Sequence, residues 1–115
     1  CSLATGGEFK ANSGHTEWVD GRSHQSGFTT TFRPNTSVRC DMSGDIYDID
    51  WTNKREGASD TAPTAAAVTS RSHHSGVVNV AFMDGSARSI SDEIELAVWR
   101  ALSTRAGGEA VRGDY

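Results

Sequence analysis

The chain has 115 residues and a formal net charge of −4, with 36% hydrophobic residues, 12 Gly, 2 Pro and 2 Cys. That length suits one modest core in a single domain over residues 1–115. An acidic balance with Arg scattered from Arg22 to Arg112 excludes the basic stripe that nucleic-acid binding needs. No apolar run approaches the roughly 18 residues of a membrane span.

The opening CSLATGGEFK lacks the charged and apolar regions of a signal peptide. A start at Cys1 implies a processed product or an excised fragment, with any anchor upstream. Up to Gly27 the chain is polar and rich in Gly and Ser, a loop-rich region with a short extended piece at Glu17–Val19. Phe28–Arg33 (FTTTFR) combines aromatic and β-branched residues and predicts a strand. Pro34-Asn35 ends it, because Pro has no ladder donor and Asn suits a turn.

Ile46–Thr52 predicts a second strand, with Tyr47, Ile49 and Trp51 on one face and Asp48 and Asp50 on the other. Gly57–Pro63 is a loop, and Ala65–Ser70 is a short strand candidate whose alanines also permit a helical turn. The clearest element is a hairpin over about 77–90: Val77–Met83 as a strand, Asp84-Gly85 as a type I′ turn, and Ser86–Ile90 returning. That turn pairs Met83 with Ser86, Ala81 with Arg88 and Asn79 with Ile90. One helix follows over about Asp92–Thr104, with Ser91 or Asp92 as its cap and Asp92 and Glu95 as a capping box. Ile94, Ala97, Val98, Ala101 and Leu102 form its apolar stripe with Trp99 at the flank, and Gly107-Gly108 supplies the stop.

The segment TSRSHHSGVVNVAFMDGSARSI carries a His, nine residues and Asp-Gly, from His74 to Asp84 and Gly85. It resembles the His-X9-Asp-Gly region of the DUF1559 proteins, planctomycete-type prepilin-like proteins. GHTEWVDGRSHQSGFTTTFRPNT, YDIDWTNKREG and WRALSTRAGGEAV extend the resemblance over about Gly14 to Val111. The resemblance implies a carboxy-terminal head from a type IV pilin-like or type II secretion pseudopilin-like protein. The prepilin cleavage segment and long apolar helix of such proteins would lie upstream.

Extended at about 3.3 Å per residue, the strand between His74 and Asp84 puts them nearly 30 Å apart, too far to share a metal or a proton. Asp84-Gly85 then makes a turn and His74 fixes the strand's entry. His15, Glu17 and His24 with His73 or His74 would suit zinc or copper if the fold gathered them, but a His in a Gly-rich turn more often bonds backbone or faces solvent. Asp41, Asp45, Asp48 and Asp50 around Ser43-Gly44 offer hard oxygens for calcium, though not in EF-hand spacing. They equally suit a solvated acidic strand edge that discourages aggregation. Trp18, Trp51 and Trp99 would line a sugar-binding face or anchor the core. Cys1 and Cys40 would form a bridge in an oxidising compartment, worth roughly 3–4 kcal/mol, or stand as incidental thiols.

No Gly-x-Ser-x-Gly elbow or phosphate-cradling loop is present. These observations lead to an α+β head, predominantly antiparallel β, pilin- or pseudopilin-like. Its expected role is structural and non-enzymatic, in the cell envelope or outside the cell. The expected partners are other pilin-like subunits or envelope proteins, with membrane contact only through the upstream helix. A secreted calcium- or carbohydrate-binding module is the alternative, and a metal-dependent hydrolase using the histidines is the third reading.

Overall fold

The computed structural model describes residues 9–12, 14–53 and 59–104. In chain order these form α1 (Ser23–Ser26), β1 (Arg39–Met42), β2 (Asp45–Asp48), β3 (Trp51–Thr52), β4 (Ala66–Ala67), β5 (Val77–Ala81), β6 (Ala87–Ser91) and α2 (Leu96–Leu102). The strands pair antiparallel in three two-stranded ladders, β1 with β2, β3 with β4 and β5 with β6. The architecture is therefore α+β, of short antiparallel strands with one short helix near the carboxyl end.

The β5–β6 hairpin is where the run Val77–Met83 and Asp84-Gly85 place it, but its register differs by one residue from that of a two-residue loop. Val78 lies opposite Ile90 and Val80 opposite Arg88. The Phe82 N–H donates to Ser86 O at 2.8 Å and the Gly85 N–H to Phe82 O at 3.0 Å, so Met83, Asp84 and Gly85 form a three-residue loop. Gly85 takes φ 85°, and among the described residues the non-glycines at positive φ are His15, Asn35 and Ser43. Asp84 therefore stays out of the left-handed region that a type I′ turn demands. The longer loop sets Val78 against Ile90 on the buried face, whereas the expected register sets Asn79 there.

The type I′ geometry occurs instead between β1 and β2. Met42 pairs with Asp45 across Ser43 (φ 60°) and Gly44 (φ 94°). A Cβ on Gly85 would meet nothing within 4 Å. Gly85→Val should thus cost only the left-handed backbone penalty, about 1–2 kcal/mol, read as a lower urea midpoint at unchanged slope.

Several other expectations are corrected. Phe28–Arg33 forms no strand: the carbonyls of Thr31 and Phe32 accept from Arg100 and from Trp99 Nε1 (3.1 and 2.9 Å) instead of a neighbouring strand. Glu17–Val19 is a turn, closed by Asp20 N donating to Glu17 O. Ile46–Thr52 splits into β2 and β3, which pair with different strands, and only Ala66–Ala67 of Ala65–Ser70 is in a ladder. The helix begins at Leu96 because Asp92 N is still bound across the hairpin to Gly76 O (3.0 Å). Ser91 Oγ accepts from Glu93 N at 3.1 Å, so a turn replaces the Asp92–Glu95 capping box.

The core centres on a cluster of Val78, Val80, Ile90, Ile94 and Trp99, with Phe82, Leu96, Val98 and Leu102 packed on it, and Val68 is buried outside that cluster. Trp99 is its centre rather than its flank, at 2% exposure, while Ala97 of the expected stripe is exposed. Its ring stacks on Phe28 with centroids 5.6 Å apart and planes 5° from parallel. Cys40 is fully buried and disulfide-bonded. Cys1 and the Gly107-Gly108 stop lie outside the described residues.

Candidate functional site

Three stretches far apart in sequence meet at a cleft of about 550 Å³. One wall is built by His15 and the end of α1 through Phe28, another by Thr69–Ser72, and the third by Val78–Val80 of β5 with His74 before it.

The first wall depends on one buried amide. Gln25 Oε1 accepts from Thr16 N (2.9 Å), Glu17 N (3.1 Å) and Thr16 Oγ1 (3.3 Å), tying the preceding turn onto α1. His15 holds a left-handed backbone, φ 54°, with its N–H on His24 O at 2.9 Å. Its Nδ1 lies 3.0 Å from Gln25 O. A carbonyl can only accept, so Nδ1 carries the proton of this bond.

The second wall is held from behind. Asn35, also left-handed at φ 55°, donates its N–H to Ser70 O and accepts Ser72 N on Oδ1, both at 2.8 Å. Thr69 N donates to Asp50 Oδ1 at 3.0 Å. The Arg71 guanidinium is saturated: Nε and one terminal nitrogen donate to Asp48 (3.0 and 3.1 Å), the other to Asp50 (2.7 Å), and the remaining protons go to Thr69 O and Ile49 O. Burial alone would lower the Arg71 pKa, but the bonds to Asp48 and Asp50 outweigh it and raise it. The Arg71 bond holds Asp48 below the ordinary carboxylate range, helped by the Val38 N–H.

Two polar atoms in this wall have no partner. Thr69 is 2% exposed and Ser70 8% exposed, and neither Thr69 Oγ1 nor Ser70 Oγ makes a hydrogen bond. Replacing a buried, unbonded hydroxyl by a methyl group removes a desolvation cost. Thr69→Val should therefore stabilise the chain, by about 1 kcal/mol in urea denaturation.

His74 and Asp84 stand beyond opposite ends of β5. His74 precedes β5 and lines the cleft, while Asp84 lies in the turn beyond β5. Asp84 Oδ1 accepts Ser86 N (2.9 Å) and Ser86 Oγ (2.7 Å), which lowers its pKa and clasps the loop that Gly85 completes.

The four aspartates of the candidate calcium loop do not converge. Asp48 and Asp50 turn to Arg71, whereas Asp41 accepts Gly44 N at 3.0 Å and closes its own turn, and Asp45 is exposed opposite Met42. Among the described residues no group of three or more His, Cys, Asp or Glu is placed to hold a metal, so His15, Glu17, His24, His73 and His74 form no such site. Trp99 is a core anchor, but Trp18 and Trp51 are 87% and 57% exposed.

Sequence reasoning missed Gln25, Thr69, Ser70 and Arg71. The signal available for Arg71 was the face shared by Asp48 and Asp50, a double negative charge that needs a cation.

Among the described residues no helix is long and apolar enough to cross a membrane. No curated protein and no solved structure matches the chain. The sequence model of one family, described as "Protein of unknown function (DUF1559)", matches residues 3–97. With that match across most of its length, the chain belongs to the DUF1559 family.

Proposed function

We propose that the chain is the outward-facing head of a pilin-like or pseudopilin-like subunit of the cell envelope, acting by contact with like subunits rather than by catalysis. The observation that carries this reading is the set of large apolar side chains left in water. Met83 stands fully exposed at the tip of the β5–β6 hairpin, and Ile46, Trp51, Trp18 and Val19 are also exposed. Exposed apolar groups of this size offer contact area that a partner subunit would cover. Membership of the DUF1559 family supports the reading through the prepilin-like character of the proteins that the chain resembles.

A photoreactive phenylalanine at position 83 or 51, in cells expressing the intact gene, tests the contact. The expected product is a cross-linked species containing two copies of the subunit, obtained from the envelope fraction. Monomer alone from both positions would overturn the proposal.

A further inference from the structure

The cleft meets β5 edge-on. Successive side chains of a strand point to opposite faces. Val78 and Val80 are buried in the core and Asn79 is exposed on the other face, yet all three line the cleft. Three consecutive residues can share one cleft only along the edge of their strand.

The hairpin's hydrogen bonds say which backbone groups that edge presents. Phe82 N donates to Ser86 O and Asp92 N to Gly76 O. In an antiparallel ladder bonded and non-bonded pairs alternate, so Gly76, Val78, Val80 and Phe82 direct their backbone groups to β6. Val77, Asn79 and Ala81 direct theirs the other way. Among the described residues, no group bonds to the outward N–H and C=O of these three.

The facing wall is Thr69–Ser72, with the unbonded hydroxyls of Thr69 and Ser70 and a guanidinium whose protons are all engaged. Arg71 is neutralised by two carboxylates, so the wall presents no free charge, and its two unbonded hydroxyls are buried behind the cleft surface. We infer that the cleft binds an extended, uncharged peptide segment of another protein, which adds to the free edge of β5 as a third strand. Its backbone would pair with Val77, Asn79 and Ala81, the commonest chemistry of peptide capture by a sheet edge. Rotation of Thr69 and Ser70 about χ1 would turn their hydroxyls to its far side. This inference stands apart from the assembly reading, because a free domain with this edge would bind the same peptide.

The test uses the 115-residue chain and a capped peptide of alternating threonine and valine, with a copy N-methylated at alternate positions as its control. Amide exchange followed by NMR should show new protection at Val77, Asn79 and Ala81 when the unmodified peptide is added. Val78 and Val80, already in the ladder, should change little. The N-methylated copy should bind at least about tenfold more weakly, since it lacks the donors that pair with the edge.

Asn79→Pro removes one outward N–H but no ladder bond, and should weaken binding by a similar factor while the β5–β6 amides stay protected. If that variant fails to fold, Thr69→Val supplies the second arm, with binding reduced and the fold intact. Equal binding of both peptides, unchanged exchange at Val77, Asn79 and Ala81, or no binding at millimolar peptide would overturn the inference.

Discussion

Trp99→Ala is expected to unfold most of the molecule at room temperature, or to lower its stability by about 3–5 kcal/mol. Trp99 is 2% exposed and sits among Val78, Val80, Ile90 and Ile94, the whole of the buried cluster. Its Nε1 proton goes to Phe32 O at 2.9 Å, so truncation also leaves a carbonyl short of a partner. The stacked Phe28 loses its support at the same time, and Phe28 lines the cleft. Small domains have only about 5–15 kcal/mol in total, so one such loss is a large share. Trp99→Phe, which keeps the stacking and most of the volume, should retain a cooperative transition. A midpoint for Trp99→Ala equal to that of the wild type would contradict the placement of Trp99 at the centre.

Arg71→Leu is the second large effect, about 2 kcal/mol, since the hydrogen bonds it removes are charge-assisted but partly exposed. The change also leaves Asp48 and Asp50 without their shared cation, and it frees the carbonyls of Thr69 and Ile49.

Its pH dependence distinguishes this from simple loss of packing. Asp48 has a folded pKa below its ordinary 3.8. Its contribution is therefore present above that value and lost as pH falls through the folded one. In wild type, stability should decline below about pH 4; in Arg71→Leu the decline should be shallower, because Asp48 returns toward its ordinary range. Asp20, drawn down to about 2 by its bonds from Arg22, and Asp84, lowered by Ser86, keep some acid sensitivity in both proteins. Parallel stability curves for the two proteins between pH 2 and 5 would contradict the assignment of Asp48 to Arg71.

What could be read from the sequence was local. The strand-forming run VVNVAFM before Asp-Gly placed β5, and the apolar residues after Ile90 placed a helix beyond it. The register was not local. Asp-Gly serves equally as the centre of a two-residue loop and as the end of a three-residue one, and the choice fell to the burial of Val78 opposite Ile90. FTTTFR has strand propensity, yet tertiary bonds to Trp99 and Arg100 claimed its carbonyls. The period of the helix suggested Ala97 inward and Trp99 aside. The late start at Leu96 and the size of Trp99 reversed that.

The cleft was illegible for a different reason: its walls come from around His15, Thr69 and Val78, and no spacing rule links them. The acidic cluster shows the same limit. Four aspartates within ten residues suggested one ligand shell, and a single arginine more than twenty residues later divides them.

Fractionation of cells carrying the intact gene, with and without an active prepilin peptidase, tests the envelope-subunit reading most directly. The predicted result is a protein in the envelope or sheared-surface fraction whose mass falls only when the peptidase is active. A cytoplasmic protein of identical mass in both strains would contradict it.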